Sequence, residues 1–456
     1  MNLRRLARFA LLALAAIVAV PSIAEAGSSR RSRRASPFVA STTTSGLKSD
    51  ESVQAALAAT PAGGTVVLPF GSFRTSIVID RPLTVVGHPR GTRLDAKGLG
   101  RAAIEILPGV TDVTLDGLYV TTADLDGIAA GAGCARLRIA RTTVERCLGD
   151  GIRVERSTDV RVEGCVLDRN AGDGLDLDAT GGVVTGCTFR ENGGAAARLR
   201  GSDVVLTSAS STGGAEGIVF EGLRIAASRV TFRGTRLLAR FAATSDTCAL
   251  ERCDGRDLQT VALTEEGSIY ARIEGNRTAG TAGDAFVLRG AWHTVERNAL
   301  GRVLGTAVAG DGLSLRIVEN VVASAAGSAV RLAGMGNTVE GNNVGPCGAD
   351  TFVLEGTAHL VARNVVRGGN GNGLVLDGDY HQAVANRIAN VPGAGIRLTG
   401  DVGLVQDNRL ERAGLEGIVV AAGRDNQLLS NSIDRCGGRG LADDGVGTVL
   451  ERNRID

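Results

Sequence analysis

Nine asparagines, Asn276, Asn298, Asn320, Asn342, Asn364, Asn386, Asn408, Asn431 and Asn453, recur at intervals of 22 or 23 residues. The same column extends backward through Cys253, Thr231, Ala209, Cys187, Cys165 and Thr142, so fifteen repeats follow one another without a break. Each unit reads approximately G-x-G-[IL]-x-[LV], a polar turn, then x-V-x-x-N-x-[IVL], as in "GDGIRV", "GDGLDL", "GNGLVL", "GAGIRL" and "EGIVV". Apolar residues alternating over such short runs mark strands, and the Gly, Asn and Asp clusters between them mark tight turns. A 22-residue unit of two or three short strands cannot bury its own apolar face; it can do so only against copies of itself. Equivalent strands then pair in parallel about 4.8 Å apart. An inward Asn at a turn meets the Asn of the coils above and below, as in other asparagine ladders. The column is therefore read as structural, because a buried amide must be paired.

Composition agrees with an array of repeats rather than several globules. The 456 residues include 64 Gly, and aromatics make up only 3%. Residues 1–26 read as a secretory signal peptide, with Arg4, Arg5 and Arg8, an apolar stretch from Phe9 to Ile23, and the small-residue cleavage site Ala24-Glu25-Ala26. Residues 27–47 form a basic, Ser/Thr-rich linker, 48–118 an N-terminal cap with the first coils, and 119–456 the repeats. The cap begins with a short amphipathic helix that places Val53, Ala56 and Leu57 on one face. No later segment approaches 18 consecutive apolar residues, so no stable membrane span is expected after signal cleavage. The protein is expected to be exported, to the periplasm, the cell surface or the medium. Residues 1–36 hold seven Arg and one Glu, which leaves the body at −5 although the chain as a whole is +1. Bulk charge thus gives no support for nucleic-acid binding.

The stretches "RPLTVVGHPRGTRLDAKG" and "VTDVTLDGLYV", followed by the 22-residue units, resemble the right-handed parallel β-helix proteins of the pectin-lyase-like superfamily, including the periplasmic NosD-like group. The resemblance spans residues 48–456 and concerns the fold. It implies an all-β, right-handed, single-stranded parallel β-helix with 22-residue coils and a short N-terminal capping helix. Polysaccharide lyases and hydrolases of that superfamily carry acidic clusters on one face, whereas NosD-like members are tied to metal-enzyme maturation.

Two groups of residues could carry chemistry. Asp126, Asp150 and Asp173 share one place in "DGI", "GDGI" and "GDGL", which stacks three carboxylates on consecutive coils. Such a stack would repel, raise a pKa or invite a cation, for which Ca2+ is the candidate cofactor. As catalytic residues these aspartates compete with a plainer role as turn formers. Arg153, Asp176 and Arg198, with Glu155, Asp178 and Arg200, form two outward columns of mixed sign that read as solvated sheet edges. The second group lies five residues before the Asn column. His293, His359 and His381 share a slot, and Trp292 and Tyr380 precede two of them. The aromatics offer sugar rings a platform and the histidines could move protons, so all five are candidate substrate-binding residues; no metal site is assigned to them. Asn337, Asn426 and Cys248 fill the same slot elsewhere, which favours a turn role for the histidines.

The eight Cys read as buried fillers of repeated slots, with Cys165 and Cys187 the best-placed pair for a disulfide. No G-x-S-x-G, H-E-x-x-H or Walker loop is present, nor the motif sets of the polygalacturonases or alginate epimerases. Turn lengths stay nearly uniform after Thr142, without the long insertions that usually wall a catalytic groove on this scaffold. The expected function is binding of an extended polymer, a polysaccharide or cell-envelope glycan, along one face. A carbohydrate-active lyase, epimerase or hydrolase is the alternative. The chain stops on the strand-like "TVLERNRID", which predicts weak end-to-end self-association through an open sheet edge.

Overall fold

The computed structural model describes residues 50–456. The predicted signal peptide (1–26), the linker (27–47) and the first two residues of the cap lie outside the described residues. Beyond one helix, the described chain is built from short strands arranged in three parallel sheets. Each coil gives one strand to each sheet in turn, and every pairing is parallel and runs to the next coil. The first sheet holds 18 strands. In it Thr338 sits opposite Leu360, Leu360 opposite Gln382, and Gln382 opposite Leu404, a register of 22 residues per turn. A polypeptide of this apolar pattern closes its backbone hydrogen bonds only by winding onto itself.

The interior consists of columns, one residue from each coil. Val339, Val361, Ala383 and Val405 form part of one, all fully buried. The few aromatics stack likewise: Phe220 and Phe241 lie 4.6 Å apart with ring planes 10° from parallel. At the N-terminal end helix α1 (Asp50–Ala59) packs Val53 and Leu57 into the core cluster of the first coils. Arg81 closes this helix by donating to the carbonyl oxygens of Leu57, 2.6 Å away, and Thr60, 2.9 Å away, at its C-terminal end. In the last coil Leu450 and Ile455, which continue buried columns, are half-exposed.

The corner between the first and second sheets carries the nine asparagines. Asn364 is representative. Its Nδ2 donates to the carbonyl of Val339 in the coil before, at 2.9 Å, and to Oδ1 of Asn386 in the coil after, at 3.0 Å. Its own Oδ1 accepts from the backbone N–H and the Nδ2 of Asn342, at 2.9 and 3.0 Å. All four hydrogen-bonding positions of the amide are therefore filled, three of them by its own copies or their backbone. The pattern runs from Asn276 to Asn453. Upstream, Cys253 gives its N–H to Asn276, and the column passes to smaller side chains. The residue before each Asn turns the corner in the left-handed region, with Glu319, Arg363, Ala385 and Asp407 at φ between 54° and 56°. Hydrogen bonds from the coils on both sides hold this uncommon conformation in place.

Asn364→Asp replaces a donor that faces two carbonyl-type oxygens by a buried, charged acceptor. The expected loss is about 3–5 kcal/mol, read as a lowered denaturant midpoint. Asn364→Ala should cost less, and an unchanged midpoint for the Asp variant would contradict this account of the corner.

Candidate functional site

The G-D-G turns form the corner between the second and third sheets. Oδ1 of Asp126 accepts the N–H of Asp150 at 2.7 Å, Oδ1 of Asp150 accepts that of Asp173 at 2.7 Å, and Oδ1 of Asp173 accepts that of Ala195 at 2.6 Å. Each aspartate thus caps the coil that follows. The glycine before the slot is required by the same contact: a Cβ on Gly149 or Gly172 would lie 2.3 or 2.2 Å from the carboxylate oxygen below. Asp284 and Asp350 repeat the arrangement later in the chain, accepting from Thr306 and Asn372. Sequence reasoning missed both, although "GDA" and "GAD" stand at the repeat spacing.

The second carboxylate oxygens meet arginines. Asp150 bonds Arg153 at 2.9 Å and Asp173 bonds Arg198 at 2.6 Å, while Asp126 stands 3.5 Å from Arg153. The repulsion expected of three stacked carboxylates is relieved by backbone N–H groups and interleaved guanidinium ions. Burial nevertheless pushes the carboxyl groups of Asp126 and Asp176 above the usual carboxylate range. The mixed-sign columns are not solvated sheet edges throughout: Asp176 is 5% exposed and pairs diagonally with Arg200. Arg198 also reaches Glu221, and Arg240 bridges Glu216 and Glu265 at 2.9 Å each. Among the described residues no group of three or more His, Cys, Asp or Glu is placed to hold a metal ion.

The corner between the third and first sheets separates the second candidate group into an inner and an outer set. His293, His359 and His381 are fully buried, so a bound polymer could not touch them. This corrects their reading as substrate-binding residues. Nδ1 of His293 accepts the N–H of Ala271 at 3.0 Å, and its Nε2 lies 2.7 Å from the carbonyl of Arg289. His359 accepts from Asn337 and stands 3.0 Å from the carbonyl of Glu355; His381 accepts from His359. These contacts require neutral rings protonated on Nε2. Asn337 makes the same two bonds with an amide, to Leu315 N–H and the carbonyl of Ala333. A side chain with one acceptor and one donor is used at His293, Asn337 and His359, whereas Ala271, Leu315 and Gly403 fill the slot in other coils and contribute only their N–H groups. Burial depresses all three imidazoles, that of His293 to about 4.

Trp292 and Tyr380 point outward, 39% and 52% exposed. Tyr270, one coil before Trp292 and absent from the sequence-based candidates, stacks on it with ring centroids 5.1 Å apart and planes 15° from parallel. Its signal was its position, 22 residues upstream in the same slot. Tyr270, Trp292 and Tyr380 all take φ between 52° and 61°, the bend that swings the side chain off the sheet. Between Trp292 and Tyr380 the slot is filled by Ser314, Gly336 and Ala358, while Leu313 and Met335 stand exposed beside it. Four coils at about 4.8 Å separate the two outer aromatics by about 19 Å.

The thiols of this molecule are fillers. All eight Cys are free, Cys165 and Cys187 included; the Sγ of each of these two faces a carbonyl of the preceding coil at 3.5 and 3.6 Å. Burial pushes the Cys147 and Cys253 thiols up to about 11 and 12, far from nucleophile range.

The family model described as "Right handed beta helix region" matches residues 93–209. The chain is a right-handed parallel β-helix protein. None of the curated proteins is similar to it in sequence. Among solved structures, the β-helix is similar to a PL6-family alginate lyase at 9% identity, covering 90% of this chain and 99% of that one, with a TM-score of 0.38. A mannuronan C-5 epimerase A-module from Azotobacter vinelandii follows at 11% identity, 82% and 90% coverage and a TM-score of 0.31. The catalytic unit of a thermostable GH87 α-1,3-glucanase from Streptomyces thermodiastaticus shows 13% identity, 88% and 67% coverage and a TM-score of 0.31. Among the described residues of the β-helix, no helix is long and apolar enough to cross a membrane.

The buried His293 gives a test of its structural role. Its native pKa of about 4 lies below the unfolded value of about 6.5, so between these limits the unfolded chain binds the extra proton. Stability from this residue is complete above pH 6.5 and falls by about 3 kcal/mol as pH drops to 4. His293→Asn, which installs the side chain used at 337 and 426, should fold and should remove that part of the pH dependence of the denaturant midpoint. An identical pH profile for both proteins would exclude a buried neutral imidazole at this position.

Proposed function

We propose that the β-helix is an exported protein that binds an extended polysaccharide along the corner bearing Tyr270, Trp292 and Tyr380. The observation that carries this reading is the exposed, stacked pair Tyr270–Trp292, set in line with Tyr380 beyond three small residues. Aromatic rings exposed at a rigid corner give sugar rings flat apolar surface at small entropic cost. Ser314, Gly336 and Ala358 leave open the space between Trp292 and Tyr380, and Leu313 and Met335 form an apolar side to it. Backbone hydrogen bonds from each of these bends to the next coil hold the spacing of the groups fixed, as a polymer-binding track requires.

The aspartates enter this reading as turn caps. Their first oxygens are engaged by the backbone, and Asp150 and Asp173 are only 6% and 7% exposed. A glycan panel of neutral and uronate polymers, assayed with and without Ca2+, tests the proposal. Trp292→Ala and Tyr380→Ala should each weaken binding about tenfold, the scale of one lost ring contact of roughly 1 kcal/mol or slightly more, while Asp150→Asn and Asp173→Asn leave affinity unchanged in the folded protein. Release of unsaturated or reducing ends that stops in the Asp variants would replace binding by catalysis. Indifference to all four substitutions would remove the corner as a site.

A further inference from the structure

A second surface feature lies at the corner between the second and third sheets, around residues 236–304. The buried column of the second sheet runs Phe232, Gly255, Thr278, Leu300. At Gly255 the column lacks a side chain, and a Cβ there would lie 2.5 Å from Cδ1 of Leu258. Leu258, 2% exposed, fills that space from the turn and draws the turn inward. The coil above presents only Ala279, Gly280 and Ala282 on its outer side. The result is an open cleft of about 660 Å³ crossing four coils, with Arg236 at one end, Arg302 at the other, and Asp257 and Gln259 between. Three coil steps place its ends about 14 Å apart.

The side chains that flank this cleft are mainly basic. Arg233, Arg236, Arg256, Arg277 and Arg302 are all exposed here, against Asp254 and Asp257. Only Arg233 has a carboxylate within 4 Å, Asp257 at 3.9 Å; the other four guanidinium groups have none among the described residues. Arg236 and Arg302, two unpaired planar forks at the ends of a concave floor of small residues, form a ready receptor for oxyanions.

We infer that this cleft is a second binding site, separate from the aromatic corner, for a glycan segment carrying carboxylate or sulfate groups. It is open to solvent and crosses four coils, so its length engages more than one anionic group. No aromatic side chain lines it, so the bases of a single-stranded nucleic acid would find no stacking surface.

The experiment titrates the full chain with polygalacturonate, dextran sulfate and uncharged dextran of matched length, with a single-stranded oligonucleotide of matched charge as a fourth probe. The expected result is binding of one or both anionic glycans, weakened by added salt. Polygalacturonate as the preferred probe assigns carboxylate as the ligand group, and dextran sulfate assigns sulfate. The double variant Arg236→Gln/Arg302→Gln should lower that affinity at least tenfold with an unchanged melting temperature, since both side chains are exposed. Arg236→Lys/Arg302→Lys should recover part of it. The Gln pair should lower the affinity at least tenfold in the Trp292→Ala background as well, so failure of the aromatic-corner reading remains distinguishable from failure of this one. In the Trp292→Ala protein, equal binding of uncharged dextran, no effect of the Gln pair, or tighter binding of the oligonucleotide would overturn the inference.

Discussion

A buried polar group at a corner of the coil must find its partners in its own coil and in the coils on either side. This constraint shapes the whole molecule. Water is excluded, the strands on either side are committed to their own sheets, and an unpaired amide or carboxylate would cost about 1–3 kcal/mol or more. Each of the three corners resolves the problem differently. The first uses amides that donate and accept in both directions, as at Asn364. The second uses Asp150 and its equivalents to cap the next coil's N–H. The third uses a side chain with one acceptor and one donor in some coils, as at His359 and Asn337, and apolar residues or glycine in others, as at Leu315 and Gly403.

The same constraint explains why so many conspicuous residues do no visible chemistry. Aspartates beside glycines and histidines at a regular interval are what a sequence reader associates with catalysis. In this fold both kinds are consumed by the backbone of the neighbouring coil. Their altered proton affinities follow from burial: raised for Asp126, lowered for His293.

Function is left to what projects outward where the corner slots do not demand a particular residue. The position before each His slot must turn in the left-handed region but has no side-chain duty, so Trp292, Ser314, Ala358 and Tyr380 can all occupy it. At the second corner, the missing side chain of Gly255 lets a turn sink inward and gives the regular surface a cleft of appreciable volume. Variation in small residues on a fixed frame therefore creates both of the surfaces to which binding is assigned here.

The winding was legible in the sequence because its cause is local and repeated. A 22-residue unit with too little apolar surface to bury itself must stack on its copies, and a polar residue that returns at that interval must be paired by them. Val53 and Leu57 on one face of the opening helix were legible for the same reason. The side of the backbone on which each candidate falls was not legible, because Trp292 and His293 are adjacent in sequence and only the left-handed bend between sheets sends one outward and the other into the core. Nor could spacing show that Asp176 pairs with Arg200 rather than standing in water, or that Leu258 enters the gap at Gly255. Those outcomes depend on contacts between coils, where a displacement of a few ångströms decides whether a charge is solvated, paired or buried, and only the tertiary structure decides it.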